Sequence, residues 1–452
     1  MLSAVQAATA LGSLLRHPRA SRDQVVSFQN QRLRRLIHHA YESVPYYRRL
    51  FDRHGVKPDR IRTIEDLALV PITSRAELQD LPIADIVTRG VDPSSLIPSR
   101  SSGSSGRPLT VRRSWLEERL HNAYRWRALR SYGLRPTDLH AYVMLARTQS
   151  AEDNRLLHRA AEAVGLGRYV MVSCFQSSED IAKELKTIRP DVLSGYASAL
   201  ARLAQQVDPV ELQSLRLRFV GTGGEVLTPP MRESIEQGFG APVYDTYASI
   251  EFNILAWQCR QTGDLHACDD GVVIEILDGA RAVMEGEEGE VVGTDLHAYA
   301  MPMIRYRLGD VVIRGSLSCS CGQPFSTIRS VQGRTVDYFR LPDGRTMHPY
   351  ELGMIHYSWI RAFQVTQERL DRIVLRIVPG ADAPTQEIAA LKRSVSAKVG
   401  SGVAVEIELA ETIPVDPSGK FRPFRSLLRP SEQGMPGDDR RGWRAEDPAR
   451  PC

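Results

Sequence analysis

The sequence predicts an α/β protein in which a large multi-layer N-terminal domain precedes a smaller α+β C-terminal domain. Three observations predict it. Short β-rich runs alternate with helical runs between about residues 139 and 238. A second strand-rich stretch runs from Val272 to Arg314, with Val272, Ile274 and Ile276 alternating against their neighbours. After a short polar connection around Gly333 to Gly344, three further strand-like runs surround one helical run. Strand and helix in alternation argue for α/β layers on a largely parallel sheet.

The elements follow in chain order. The first fifteen residues are apolar but lack a basic leading segment and a small-residue cleavage site, so they read as a helix or a frayed terminus rather than a targeting segment. From Gln24 to His54 a helical opening carries Leu33, Ile37 and Tyr41 at four-residue spacing, which marks a core-facing stripe, with Pro45 and Tyr46 as loop residues interrupting it. Arg32, Arg34 and Arg35 read as a solvated helix face. Ala141 to Leu145, Tyr169 to Ser173, Val192 to Ser194 and Leu217 to Val220 read as strands, with helices near 151–165, 178–187 and 229–238. In the C-terminal part strands are expected near 361–367, 371–378 and 402–408, and a helix over 385–398. Residues 429–452 have almost nothing to bury and are expected to be disordered. No internal repeat occurs.

Composition narrows the function classes. A chain of 452 residues has core volume for two domains, and 42% hydrophobic with 25% charged residues is ordinary for a soluble protein. The net charge of +4 is not gathered into a basic run and gives no argument for nucleic acid. No uninterrupted apolar stretch of about 18 residues suggests a membrane span. Six cysteines in so long a chain do not form the pattern of a disulfide scaffold, which favours a reducing cytoplasm.

The chemistry begins at Arg100 to Thr110, RSSGSSGRPLT. Gly103 and Gly106 let the backbone bend and approach a ligand closely, while Ser101, Ser102, Ser104 and Ser105 add hydroxyls to backbone N–H groups suited to a phosphate. Taken alone, such a run also serves as a turn or linker. Further polar clusters follow: GTGGE at Gly221 to Glu225, YASIE at Tyr247 to Glu251, RYRLGD at Arg305 to Asp310, GRTVD at Gly333 to Asp337, and PSGK at Pro417 to Lys420. In this order and spacing they resemble the adenylate-forming ligases, the superfamily of acyl-CoA synthetases, over about residues 25 to 428. YESVPYYRRLFDRHGV from Tyr41, LPI from Leu81 and MPMIRYRLGD from Met301 are most similar to the phenylacetate–CoA ligase group.

The resemblance implies a residue-by-residue assignment. Residues 1–336 would form the adenylation domain and 337–428 a mobile domain carrying the catalytic Lys420, turning about Asp337. Ser101 to Arg107 would hold the β and γ phosphates of ATP, with Arg107 presenting a planar fork where the family usually has lysine. Tyr247 would cover the adenine and Glu251 would bind Mg2+. Asp310 would accept hydrogen bonds from the ribose hydroxyls, and Arg334 would make a second nucleotide contact. Gly223, Gly224 and Glu225 would support the adenine side; Tyr196, Ala197 and Gly221 would lie near the acyl pocket. The bland alternatives are a surface carboxylate for Glu251, structural ion pairs for Asp310 and Arg334, and scaffold for Tyr196. Val336 departs from the acidic residue common before the hinge.

The implied reaction joins a small-molecule carboxylic acid, aryl or arylacetic in this group, to the α-phosphate of ATP, and then transfers the acyl group to coenzyme A with release of AMP. Transfer to an amine, a hydroxyl or a carrier-protein thiol is the enzyme alternative, and a nucleotide-binding scaffold without turnover is the alternative of another class. The oligomeric state, a homodimer among the options, stays open.

Cys259, His266, Cys268, Cys319 and Cys321 form a separate group, and thiolates with an imidazole can close a tetrahedral zinc site. Some members of the resembling group carry zinc in this region. Cys259, His266, Cys319 and Cys321 are the preferred ligands, Cys268 is the rival to His266, and ordinary reduced cysteines are the alternative. Four protein ligands would leave no open position, so a structural Zn2+ is expected. Cys174 and Cys452 have no comparable grouping.

Overall fold

The computed structural model describes residues 4–100, 109–144, 167–334, 339–347, 352, 354, 357, 359–380, 385–414 and 422–428. The described residues gather into two compact units, the first taking in most of residues 4–334 and the second residues 339–413 with 423–428. The expected helix at 151–165 and the tail at 429–452 lie outside the described residues.

The first unit opens with helices Ala4–Arg16, Arg22–Ser43 and Pro45–Arg53. Ser21 starts the second with a reciprocal cap: its hydroxyl accepts from the Gln24 N–H at 3.3 Å, and the Gln24 side chain accepts from the Ser21 N–H at 3.0 Å. That helix buries Val25, Gln29, Arg32, Leu33, Leu36, Ile37 and Ala40, a stripe at three- and four-residue spacing. Two expectations are corrected here. Pro45 and Tyr46 are not a loop but begin the third helix; the break is at Val44, which proline forces into extended backbone at φ −117° and ψ 113°. Arg32 is not solvated but fully buried, its guanidinium 5.1 Å from the Phe28 ring and beside Tyr299, and burial lowers its pKa.

A mixed sheet of twelve strands forms the body of this unit. Its parallel half runs β4 (Tyr169–Ser173), β3 (His140–Met144), β5 (Val192–Gly195), β6 (Val220–Gly223) and β7 (Val243–Ser249). Helices Ser178–Ile188, Ala197–Gln206 and Pro229–Phe239 lie among them in sequence and pack Ile181, Leu200, Leu203, Ile235 and Phe239 with Val143, Val172, Leu193 and Val220. The last two helices meet so closely that a Cβ on Gly238 would stand 2.6 Å from the Ala204 Cβ. The expected strand at Leu217 to Val220 is displaced: the ladder holds Val220 to Gly223, where the glycines contribute no strand propensity of their own.

From β7 the sheet continues through β8 (Asn253–Gln258), β9 (Leu265–Ala267), β14 (Thr327–Arg334), β13 (Tyr306–Arg314), β12 (Glu288–Asp295), β10 (Val272–Asp278) and β11 (Arg281–Ala282), with antiparallel pairing at each step from β7 to β12. A separate antiparallel pair, β1 (Ile97–Arg100) against β2 (Thr110–Arg113), stands on either side of Ser101 to Arg107 in the sequence.

One buried carboxylate fastens three parts of the unit. Asp270 is fully buried; Arg127 from helix Trp115–Ser131 donates to its two oxygens at 2.6 and 2.8 Å, and His17 Nδ1 lies 2.9 Å away. The adjacent Asp269 accepts from the Ser326 N–H and hydroxyl and from Arg22. Burial alone would raise the Asp270 pKa, but Arg127 and His17 hold it down to about 2.

In the second unit β17 (Ile360–Arg369) pairs antiparallel with β18 (Arg372–Pro379), while β19 (Ala404–Leu409) and β20 (Phe424–Ser426) add in parallel at the two edges. Helix Thr385–Val399 packs Leu391, Val395 and Val399 into a core with Val365, Leu375 and Ile377. The polar connection expected from Gly333 to Gly344 is corrected: β14 runs to Arg334, and Phe339 and Leu341 are buried in this second core. β15 (Phe339–Arg340) pairs there with β16 (Thr346–Met347).

Arg127→Met should destabilise the first unit by about 3–5 kcal/mol, because it strands a buried carboxylate, and denaturant unfolding would measure the loss. Because the folded pKa of Asp270 is depressed, its stabilisation is present above the ordinary carboxylate range and disappears as pH falls towards about 2. The same titration in the variant should lack that acid limb.

Candidate functional site

The site grows from β7 and β13, which are not neighbours in the sheet but meet through side chains. Tyr247 near the end of β7 donates its hydroxyl to Asp310 Oδ2 at 2.7 Å, and Tyr306 near the start of β13 donates to Glu251 Oε1 at 3.3 Å. The contacts join 247 to 310 and 251 to 306, so two stretches with the same four-residue spacing run alongside each other and touch at both ends. Tyr247 is largely buried, and Gly309 at φ +77° bends the chain just before Asp310.

Glu251 sits in the tight turn between β7 and β8, closed by the Phe252 N–H donating to the Ser249 hydroxyl at 3.2 Å. Its side chain is only 5% exposed, so its charge needs a partner. Arg75 Nη2 supplies one at 3.1 Å from Oε1. Burial opposes the charge on Arg75, but the Tyr306 hydroxyl and Glu251 outweigh it and raise its pKa. Burial, then the charge of Glu251, pushes the Tyr306 pKa up, so its hydroxyl remains a neutral donor. Arg113, the last residue of β2, donates from Nη2 to the carbonyls of Ile250 and Glu251 at 2.7 Å each. The backbone of the turn is thereby tied to β2, which follows the serine-rich segment in the sequence.

Arg75 is placed by local rules. Thr73 bridges to the Tyr306 strand, its N–H donating to the Arg305 carbonyl at 2.9 Å and its carbonyl accepting from the Arg307 N–H at 2.9 Å. Ser74 and Glu77 then form a capping box that starts the turn of helix Arg75–Gln79.

The remaining expected residues among those described lie on β6 and β14 and just after β5 and β6. Glu225 gives both oxygens to Ser198, one to the N–H at 2.9 Å and one to the hydroxyl at 3.0 Å, where its charge caps helix Ala197–Gln206. Tyr196 and Ala197 are buried, Tyr196 within the apolar cluster of the parallel half. A Cβ on Gly221 would stand 2.5 Å from Ser194 Oγ, so glycine there is required by strand packing. Gly223 has a similar neighbour in the Thr246 carbonyl at 3.1 Å, and Gly224 follows at φ +78°. Arg334 lies opposite Asp310 in the β13–β14 register. Ser101, Ser102, Gly103, Ser104, Ser105, Gly106, Arg107, Asp337 and Lys420 lie outside the described residues.

A second cluster draws on the end of β8, the middle of β9 and the loop after β13. Cys259 Sγ is 3.8 Å from Cys319 Sγ, Cys321 Sγ is 3.4 Å from His266 Nε2, and all four ligand atoms lie within 4.8 Å of one another. Zn–S bonds in a tetrahedron place sulfurs about 3.8 Å apart, so the donor set fits a zinc ion. Burial, then Arg127, lowers the His266 pKa to about 4, which keeps the imidazole in its ligating neutral form. The Gln261 N–H donates to Cys259 Sγ at 3.4 Å. Cys268 is elsewhere, with its Sγ 3.6 Å from Arg127 Nη2, and is no rival to His266.

Comparison with known proteins places this architecture. Residues 347–426 match the CapK C-terminal domain. The chain is 30% identical to the phenylacetate-coenzyme A ligase of Escherichia coli over 310 residues, covering 65% of this chain and 68% of that one. The chain belongs to the phenylacetate–coenzyme A ligase family. The Thermus thermophilus phenylacetate-coenzyme A ligase is 28% identical over 326 residues, 70% of this chain and 72% of the relative. A 2-hydroxyisobutyryl-CoA ligase in its postadenylation state, in complex with R3-HIB-AMP, superposes with a TM-score of 0.75 over 92% of both chains at 22% identity, which shows a shared fold. The family is one of AMP-forming acid–CoA ligases.

Arg75, Arg113 and Tyr306 were not singled out by sequence reasoning. Tyr306 lies inside the RYRLGD motif, and a capping signal marks Arg75 only as the start of a short helix. A double-mutant cycle of Tyr247→Phe and Asp310→Asn, read by thermal unfolding, should return a coupling of about 1 kcal/mol.

Proposed function

We propose that the protein activates an aryl or arylacetic carboxylic acid with Mg·ATP and transfers the acyl group to coenzyme A. The observation that carries this reading is the double contact Tyr247–Asp310 and Glu251–Tyr306, which gathers an aromatic ring, an acceptor carboxylate and a second carboxylate into one region. An acid oxygen attacks the α-phosphorus, the bond to the bridging oxygen breaks, and pyrophosphate leaves with its electron pair. The coenzyme A thiol then attacks the activated carbonyl, loses its proton and expels AMP. Neither step needs a nucleophile from the enzyme.

In this reading Asp310 accepts from the ribose hydroxyls and the ring of Tyr247 covers the adenine, with Arg334 and the turn at Gly223 and Gly224 beside the nucleotide. Glu251 fits a hard cation because both donors, Arg75 and Tyr306, address Oε1, leaving Oε2 without a hydrogen-bond partner among the described residues. The loop Ser101 to Arg107 holds the β and γ phosphates, and Asp337 serves as hinge. The Lys420 ammonium offsets charge on the acid and α-phosphate as they come together. Glu225 acts at one remove, by capping the helix at Ser198. Zn2+ held by Cys259, His266, Cys319 and Cys321 would pin β8 and β9 to the loop after β13 without taking part in the reaction.

Purified enzyme mixed with Mg·ATP and a panel of carboxylic acids should release pyrophosphate with aryl or arylacetic acids and make thioester and AMP only when coenzyme A is added. Product that appears only with an amine, hydroxyl or carrier-protein acceptor would refute the ligase reading. Lys420→Ala should slow adenylate formation by about 10²-fold or more while leaving ATP affinity within a few-fold. Metal analysis of untagged protein should return close to one zinc per chain, and Cys259→Ser with Cys321→Ser should abolish it and lower the thermal midpoint.

A further inference from the structure

Glu251 is held in an unusual way for a carboxylate that has to meet a cation. Arg75 Nη2 at 3.1 Å and the Tyr306 hydroxyl at 3.3 Å both bind the same oxygen, Oε1. Oε2 receives no hydrogen bond from any described residue, although the side chain is only 5% exposed. The main chain beneath is fixed separately by Arg113 on the carbonyls of Ile250 and Glu251. Backbone and side chain are therefore immobilised from different elements, and one lone-pair edge is left for a further ligand.

We propose that Arg75, together with Tyr306, is the positioning residue for the cation-binding carboxylate: the pair holds Glu251 Oε1 so that Oε2 is presented to the magnesium of Mg·ATP. The inference rests on the role given to Glu251 above. Immobilising a free glutamate side chain costs rotamer entropy, and here that ordering precedes nucleotide binding. The guanidinium also offsets the charge of a buried carboxylate before the cation arrives. Arg75 itself is only 18% exposed and is anchored through the Thr73 bridge to the Tyr306 strand, so it cannot easily swing aside. Electrostatics alone predicts the opposite outcome, since a guanidinium next to the metal ligand repels a second cation. The sign of the effect therefore decides between orientation and competition.

The test uses the full-length protein with ATP and Mn2+ as the probe for the magnesium position, read by water-proton relaxation, alongside ATP affinity without metal. Arg75→Met and Tyr306→Phe should each weaken Mn2+ binding to the ATP complex by about tenfold, with metal-free ATP affinity unchanged and Arg75→Lys recovering part of the loss. Turnover should show the same split, with the magnesium requirement rising more than the KM for the acid. Mn2+ affinity unchanged or tighter in Arg75→Met or Tyr306→Phe overturns the proposal. Should Arg75→Met fail to fold, Tyr306→Phe and Arg75→Lys carry the decision, since both keep the bulk of the side chain. Glu251→Gln separates the two levels: Mn2+ affinity unaffected by it would remove both the cation role of Glu251 and the positioning role, whereas a loss there with none in Tyr306→Phe or either Arg75 variant would overturn the positioning role alone.

Discussion

The pairing of the buried Asp270 carboxylate with Arg127 is the constraint from which the rest of the large unit can be traced. A carboxylate with no solvent exposure is tolerated only when its charge and lone pairs are met inside the protein, and Arg127 meets both oxygens while His17 adds a third contact. This fastens the C-terminal half of helix Trp115–Ser131. Its first turn is fastened by Glu117, whose Oε1 accepts from the Tyr299 and Ala300 N–H groups at 2.8 Å each. Arg113, just before that helix, then reaches the turn carrying Glu251. The turn carrying Glu251 is thus linked, through Arg113 and helix Trp115–Ser131, to the Arg127–Asp270 ion pair.

The meeting of β7 with β13 shows how a mixed sheet makes a site from strands that are not hydrogen-bonded to each other. Three strands intervene between them in the sheet order, yet Tyr247 reaches Asp310 and Glu251 reaches Tyr306. The Cys259, His266, Cys319 and Cys321 cluster obeys the same logic at the other ends of those strands. Its side chains come from the end of β8, the middle of β9 and the loop after β13, and they converge because β8, β9 and β14 pair in register, with His266 opposite both Trp257 and Thr327.

Much of the fold was legible. Tyr169 to Ser173 is a strand with the expected ends, and Ser178–Ile188 and Pro229–Phe239 are helices within a residue of expectation, because hydrophobic period and capping agree there. Where they disagree, reading fails. Leu217 to Val220 looks like the strand because it is apolar, whereas the ladder uses Val220 to Gly223, where a side chain at Gly221 would meet Ser194 on the next strand and one at Gly223 the Thr246 carbonyl. Arg32 looks solvated because arginine usually is; its burial depends on Phe28 one turn earlier and on Tyr299 from a distant segment. Motif order pointed to Tyr247, Glu251 and Asp310, but Arg75 and Arg113 carry no local signature of function.

By itself, the sequence determined the alternation of strands and helices and the caps at Ser21 and Ser74. These follow from interactions between residues a few positions apart, which the chain specifies locally. Only the tertiary structure decided that Arg75 and Tyr306 would share one oxygen of Glu251, that Glu225 would cap a helix, and that Cys268 would lie against Arg127 rather than beside Cys259. Each of those outcomes is a competition between distant partners for one buried polar group, and which partner wins is set by the sheet register that brings it within hydrogen-bonding reach.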